Sequence, residues 1–442
     1  MKKIICIILA VIFLTLPLSL TYSMASFDSL MKEDIDSEIY LLKSLDDSTV
    51  ILNKGADKKT QCPALNKILT VALALKNSED IDKNITITQK MLGDVPPYTL
   101  GINLKADEKI SIRSLLYAIM LYGANDACIA IAHHIAGDTG SFVKMMNDYV
   151  SSLGCKNTVL MNPTGFDSDG QATTANDIAV IMADVVKVPV FMEIFGARTY
   201  KVSATNLSAE RNFTTGNKMM FSTLPDYYYS YVTGGKSGAT DAAGYCNITT
   251  ATKDGYTYLC VVLKGSTKQV NGVSKNMTMY DTKTMLKWAY ANIKFKIVAN
   301  PNHVVMELGI IAGSESDHII LVPAKEISAL VPFLADSDAV LIEPIKDTVP
   351  EKLYAPIKSG DTICKARILY ADEEIAQVDL VALQTVNLSV PRLVLEKIKD
   401  VLKSKVFIAV LIILVTLILI YIVFVIFDNM KAKRNRMHIV GK

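Results

Sequence analysis

Lys67 is the residue least in keeping with its surroundings. It lies in Cys62-Pro63-Ala64-Leu65-Asn66-Lys67-Ile68-Leu69-Thr70, a lone charge in an apolar run. Two readings apply. A lysine at a helix edge packs its stem and leaves its ammonium in water. A desolvated lysine has a lowered pKa and serves as a base. Two further groups carry polar side chains suited to chemistry: Asn125 within Gly123-Ala124-Asn125-Asp126-Ala127, and Lys236-Ser237-Gly238. Taken singly, the first reads as a turn residue capping the next helix and the second as a strand end.

The elements around them follow from periodicity. Pro63 suits a first helical turn, and Leu65, Ile68, Leu69, Val71, Leu73 and Leu75 continue as a buried helix. Residues 38–43 and 49–54 alternate as two strands around Asp46-Asp47. Residues 111–121 and 126–136 read as helices joined by a loop holding Gly123-Ala124-Asn125. Ser141 is expected to cap a helix ending near Gly154, and residues 174–186 form another. Lys253-Asp254-Gly255 separates strands 245–252 and 256–263, a strong hairpin signal. Residues 281–293 close this part with an amphipathic helix. Strands, helices, then strands imply an α+β domain, an antiparallel sheet flanked by helices.

Beyond about residue 297 short strands alternate with turns, at 304–310, 318–322, 339–343, 362–370 and 374–381, which reads as a small all-β domain. Residues 392–405 are amphipathic. Residues 406–427 lack any charge and would span about 33 Å as a helix, enough for a hydrocarbon core of about 30 Å. Lys431, Lys433, Arg434, Arg436 and Lys442 follow, which by the positive-inside rule puts this tail in the cytoplasm and the bulk of the chain outside. At the other end, Lys2-Lys3, an apolar run from Ile4 to Leu20, and Ser23-Met24-Ala25 form a signal-peptide pattern with cleavage after Ala25, an uncleaved anchor being the alternative. The expected organisation is therefore 1–25 signal peptide, 26–296 main domain, 297–390 all-β domain, 391–405 juxtamembrane helix, 406–427 transmembrane helix and 428–442 basic tail.

The whole chain has 442 residues and a net charge of +2, so it carries no electrostatic footprint for nucleic acid. His133-His134 has no glutamate at zincin spacing, and no metal or cofactor motif is present. Cys62, Cys128, Cys155, Cys246, Cys260 and Cys364 match no disulfide scaffold; buried free thiols are the simplest reading, although pairing outside the membrane stays open.

Lys67, Asn125 and Lys236-Ser237-Gly238 stand in the order and spacing of the penicillin-binding serine hydrolases, whose motifs are Ser-x-x-Lys, Ser-x-Asn and Lys-Thr/Ser-Gly. With Asn162-Pro163-Thr164-Gly165-Phe166-Asp167, Thr173-Thr174-Ala175 and Gly244-Tyr245, residues 35–390 resemble the D-alanyl-D-alanine carboxypeptidases, low-molecular-mass penicillin-binding proteins. The resemblance implies a β-lactamase-like domain with a β stalk acting on the D-Ala-D-Ala end of a peptidoglycan stem peptide. In that family the serine attacks the terminal carbonyl and the lysine one turn on takes its proton. The second-motif serine relays the proton to the leaving amine and the asparagine positions the substrate amide. The third-motif lysine and hydroxyl lie near the substrate carboxylate. Carried over, Lys67, Asn125, Lys236 and Ser237 match, beside Gly238, with the amides of Ala64 and Ala239 as the oxyanion hole.

The departures bear on activity. Ala64 stands where the family has its nucleophile, and Gly123 replaces the second serine. No serine lies between Thr49 and Lys67, and Cys62, five residues before Lys67, leaves the shared helix face. The family often has an arginine gripping the carboxylate ahead of Asp281; here the text is Thr278-Met279-Tyr280, with Lys275 the nearby substitute. The reading is a membrane-anchored, catalytically inactive relative that binds wall peptide or a protein partner. The alternative is an active carboxypeptidase using another nucleophile, such as Ser237 or a bound water.

Overall fold

A computed structural model describes residue 27 and residues 31–270, 272–333, 340–370 and 373–439. The expected signal peptide lies outside the described residues. The chain divides into two compact units, Met1–Lys294 with Leu330–Ala335, and Phe295–Ala329 with Asp336–Lys442.

The first unit is built on a five-stranded antiparallel sheet. Its strands are β1 (Ile39–Ser44), β2 (Val50–Lys54), β3 (Val232–Thr240), β4 (Gly244–Lys253) and β5 (Tyr256–Gly265), in the order β2-β1-β5-β4-β3. The β4–β5 turn uses Asp254 at φ 53° and Gly255 at φ 86°, the left-handed pair that a tight hairpin requires. Both faces of the sheet are covered, so β4 and β5 are buried almost without alternation. Leu259, Val261 and Leu263 enter the main core, while Tyr258 stacks on Tyr290 of a covering helix, ring centroids 4.5 Å apart.

The middle of that core is α1 (Pro63–Asn77). Pro63 occupies its first turn, and Ala64, Leu65, Ile68, Leu69, Val71, Ala72 and Leu73 are all buried. Around it lie α2 (Ile112–Tyr117), α3 (Asn125–Ala136), α4 (Thr139–Ser152), α5 (Ala175–Val185) and, across the sheet, α6 (Met277–Asn292). Three expectations shift. Asn125 opens α3 instead of lying in the preceding loop. Asp138, not Ser141, caps α4: its carboxylate accepts from the Ser141 amide at 2.8 Å, a charge better placed at the helix N-terminus than a hydroxyl. The final helix starts at Met277, because Asn276 accepts from the Thr278 amide at 3.0 Å and caps it earlier.

The second unit holds a six-stranded sheet of β6 (Met306–Ile311), β7 (His318–Pro323), β8 (Val340–Pro344), β9 (Leu353–Tyr354), β10 (Thr362–Tyr370) and β11 (Glu373–Ala382), ordered β8-β10-β11-β7-β6-β9. After it come α7 (Val390–Lys403) and α8 (Lys405–Ile439). Residues Lys405–Phe427 make one 23-residue stretch long and apolar enough to cross a membrane, and none of it is buried.

Candidate active-site cleft

The site is assembled where the start of α1 meets strand β3. Gly238 permits the approach: a Cβ there would lie 3.1 Å from the Ala64 amide nitrogen and 3.1 Å from Pro63 Cγ. Gly165 does the same from the facing loop. It sits at φ +81°, and a Cβ would come within 2.5 Å of Pro63 Cα. A cleft of about 330 Å³ opens above these contacts, lined by Pro63, Lys67, Gly123, Asn125, Thr164, Phe166, Lys236, Ser237, Gly238 and Ala239, with Tyr98 and Tyr122 among its aromatic residues.

Seven of the eight site residues singled out in the sequence therefore line one cavity. Ala64 is the exception: it is fully buried. Its amide faces the sulfur of Cys246 beneath Gly238, so of the two amides expected to form an oxyanion hole only that of Ala239 belongs to a cleft residue. Lys275 does not substitute for the expected arginine. It pairs with Asp226 at 3.2 Å, lies over the Tyr280 ring, and takes no part in lining the cleft.

The ammonium of Lys67 donates to the Thr164 carbonyl. Burial pulls its pKa below the ordinary lysine value, with the thiols of Cys128 and Cys246 acting the other way. Lys236 is almost wholly buried and donates to the Ser237 carbonyl at 3.2 Å. Burial, then the like charge of Lys67, bring its pKa down to about 8. Asn125 Oδ1 is buried without a hydrogen-bond partner. The preceding turn is unusual: Ala118–Tyr122 winds as a π-helix that ends with the Gly123 amide on the Ala118 carbonyl at 2.9 Å and Gly123 at φ 86°. All six described cysteines are buried and free, Cys62 and Cys246 in mutual hydrogen-bond contact. That contact and burial push the Cys62 thiol well up.

Sequence reasoning missed the π-turn and the polar frame behind the cleft. Asn66 donates to the Asn162 carbonyl at 2.7 Å and to Gln171 at 2.9 Å, and Thr70 donates to the Pro163 carbonyl at 2.8 Å. The signal available was three polar residues, Asn66, Lys67 and Thr70, on one face of an otherwise apolar helix.

Residues 26–267 match the family model described as D-alanyl-D-alanine carboxypeptidase, and residues 296–388 match the C-terminal domain of penicillin-binding protein 5. The D-alanyl-D-alanine carboxypeptidase DacA of Haemophilus influenzae is 24% identical over 367 residues, covering 80% of this chain and 86% of that protein. DacF of Bacillus subtilis is 27% identical over 322 residues, 72% of this chain and 77% of the relative. The fold is shared with the crystal structure of penicillin binding protein 5 from Haemophilus influenzae (TM-score 0.61, 22% identity, 81% of this chain and 99% of that one). It is also shared with that of DacD from Francisella tularensis (TM-score 0.63, 20% identity, 84% and 100%). With a family match spanning more than half of its length, and with its three motifs gathered around one cleft, the chain belongs to the D-alanyl-D-alanine carboxypeptidase family.

Proposed function

We propose that this protein is a membrane-tethered, extracytoplasmic member of its family that receives the D-Ala-D-Ala end of a peptidoglycan stem peptide without cleaving it. The observation that carries the reading is Ala64, a buried methyl group one helical turn before Lys67. An alanine cannot be acylated, and losing the nucleophile of a serine hydrolase costs on the order of 10⁶ in kcat. Gly123 removes the second hydroxyl, so the proton relay to a leaving amine has no carrier there. Lys67, Asn125, Lys236 and Ser237 retain the side chains for holding a peptide, and the relatives named as D-alanyl-D-alanine carboxypeptidases support that ligand class. The apolar helix Lys405–Phe427 and the basic residues after it support a single membrane crossing with a cytoplasmic tail.

The other reading, an active carboxypeptidase with Ser237 as nucleophile, requires a base on that hydroxyl. Among the described residues none is hydrogen-bonded to it, and Lys67 is bound to Thr164 instead. Incubating the full-length protein in non-ionic detergent with fluorescent penicillin tests the choice. No covalent band is expected; a labelled band whose adduct maps to the cleft overturns the proposal.

A further inference from the structure

We propose that a ligand held in the cleft continues over the ridge formed by residues 164–166 into a second pocket, and that this pocket takes an uncharged aliphatic segment, the acyl arm on the amino side of the peptide's terminal residues. This rests on the reading that the cleft receives a peptide end, and it names the further part of that peptide which the protein selects.

The second pocket is as large as the cleft, about 360 Å³ against about 330 Å³. Thr164 and Phe166 line both, and one loop supplies Tyr98 to the cleft and Pro96 to the pocket. The two spaces are therefore neighbours divided by one stretch of chain. The pocket walls are apolar: Ile129 of α3 and Val143 of α4 meet Pro96, Met161, Pro163 and Phe166. Met161 is 48% and Phe166 39% exposed. Large apolar side chains left in water beside a cavity mark a surface that gains from being covered. Asp94 is the one charged side chain among the described residues that line the pocket, and it is hydrogen-bonded to His133 Nε2 at 2.6 Å.

The polar groups of the ridge are already engaged. The carbonyls of Asn162, Pro163 and Thr164 accept from Asn66, Thr70 and Lys67 of α1, and that of Phe166 accepts from Asn162 Nδ2 and Gln171 Nε2, both at 3.0 Å. Asn162 Oδ1 accepts from the amides of Gly165 and Phe166 at 2.6 and 3.1 Å. A charged or strongly polar segment laid on this wall loses water without finding partners, a cost that an aliphatic segment does not meet. The same bonds hold the ridge in place before any ligand arrives, so binding does not have to order it.

Continuity with the cleft assigns the occupant. A peptide whose carboxyl end lies in the cleft can continue only from its amino side. A segment joined to that peptide reaches the pocket without the second loss of translational freedom that a separate molecule would meet.

Calorimetry on the full-length protein in non-ionic detergent tests this with two probes, acetyl-Gly-D-Ala-D-Ala and hexanoyl-Gly-D-Ala-D-Ala. The hexanoyl probe should bind the parent at least about fivefold more tightly than the acetyl probe. Met161→Lys sets a charge at the pocket from a half-exposed position and should bring that ratio to about one, with the acetyl affinity kept within about twofold. Val180→Lys, on the exposed side of α5 and outside the pocket lining, should keep the parent ratio. Micelles take up the hexanoyl probe alike in all three samples, so the comparison reads the protein. A second measurement locates the arm: a hexanoyl chain carrying a diazirine should, on irradiation, label peptides that contain Ile129, Val143 or Met161. Equal affinity of the two probes for the parent, a ratio that survives Met161→Lys, or label confined to cleft residues or to α8 overturns the second pocket's role and leaves the non-cleaving reading standing. No binding of either probe overturns that role together with the claim that the cleft receives a peptide end. Penicillin acylation, by contrast, overturns only the non-cleaving reading.

Discussion

The Lys67 ammonium donates a hydrogen bond to the backbone carbonyl of Thr164, so the charge in the α1 interior is tied to the loop on the far wall of the cleft. Its neighbours Asn66 and Thr70 bind the same loop through Asn162 and Pro163. The face of α1 that would serve chemistry in an active relative thus also works as a clamp.

That clamp should depend more on Asn66 than on Lys67. Asn66→Ala takes a donor from the Asn162 carbonyl and from Gln171 Oε1, which keeps only the Met161 amide at 3.3 Å, and should cost about 1–3 kcal/mol. Lys67→Met removes a hydrogen bond together with a desolvated charge, so it should stay within about 1 kcal/mol of the parent. The single tryptophan, Trp288, lies in α6 of the first unit, so its fluorescence during urea unfolding reads the right part of the chain. The reverse ranking of the two variants would reject the clamp.

Restoring both hydroxyls should restore acylation in part. Ala64→Ser with Gly123→Ser is expected to gain penicillin labelling that neither the parent nor Gly123→Ser alone displays. Gly123 stands at φ 86°, where a residue with a Cβ is strained by about 1–2 kcal/mol, so the revertant should melt earlier than the parent. An unlabelled but folded double variant would mean that the cleft has lost more than two oxygen atoms.

Gly238→Ala should push β3 off the start of α1. The added methyl meets Ala64 N and Pro63 Cγ, both at 3.1 Å and both held by the helix, so a loss of about 1–3 kcal/mol is expected in the same fluorescence assay. An unchanged unfolding midpoint would contradict the tight approach.

Stability should carry the signature of Lys236. Its folded-state pKa of about 8 lies below the ordinary 10.5, through burial first and Lys67 second, with Cys246 and Cys128 opposing. The penalty on the charged form is therefore complete below about pH 8 and is relieved as pH rises toward the unfolded value. From about pH 7 to about pH 9.5 this group should add about 2 kcal/mol to parent stability relative to Lys236→Met. A pH-independent difference between the two proteins would refute the assignment.

Deleting residues 405–442 should release the protein from the membrane fraction. The amphipathic α7 would remain, with Val394, Leu395, Ile398 and Val401 exposed, so release should be helped by high salt or mild detergent. Retention that resists both would assign the anchor to another segment.

Much of this architecture is legible from the residues because local and global signals agree. Pro63 followed by continuous apolar positions specifies α1, and Asp254-Gly255 specifies the β4–β5 hairpin, each through short-range sterics. What escaped depends on partners distant in sequence. The strand Ile327–Pro332 lacks alternation, and Leu353–Tyr354 is too short to show a period of two. At the site, Lys67, Asn125 and Lys236 could be singled out because their order and spacing resemble the motifs of the penicillin-binding serine hydrolases. The inward turning of the Ala64 amide and the capture of Lys275 by Asp226 could not, since both arise from packing between segments far apart in the chain.

The six buried thiols have a practical consequence. Each described cysteine is shielded in the folded chain, two of them directly beneath the cleft, so a thiol-alkylating reagent can mark these sulfurs only in molecules that have opened. The protein thereby carries its own breathing gauge: the order in which Cys364, in the second unit, and Cys62 and Cys246, under the cleft, become alkylated would map which part of the chain loosens first.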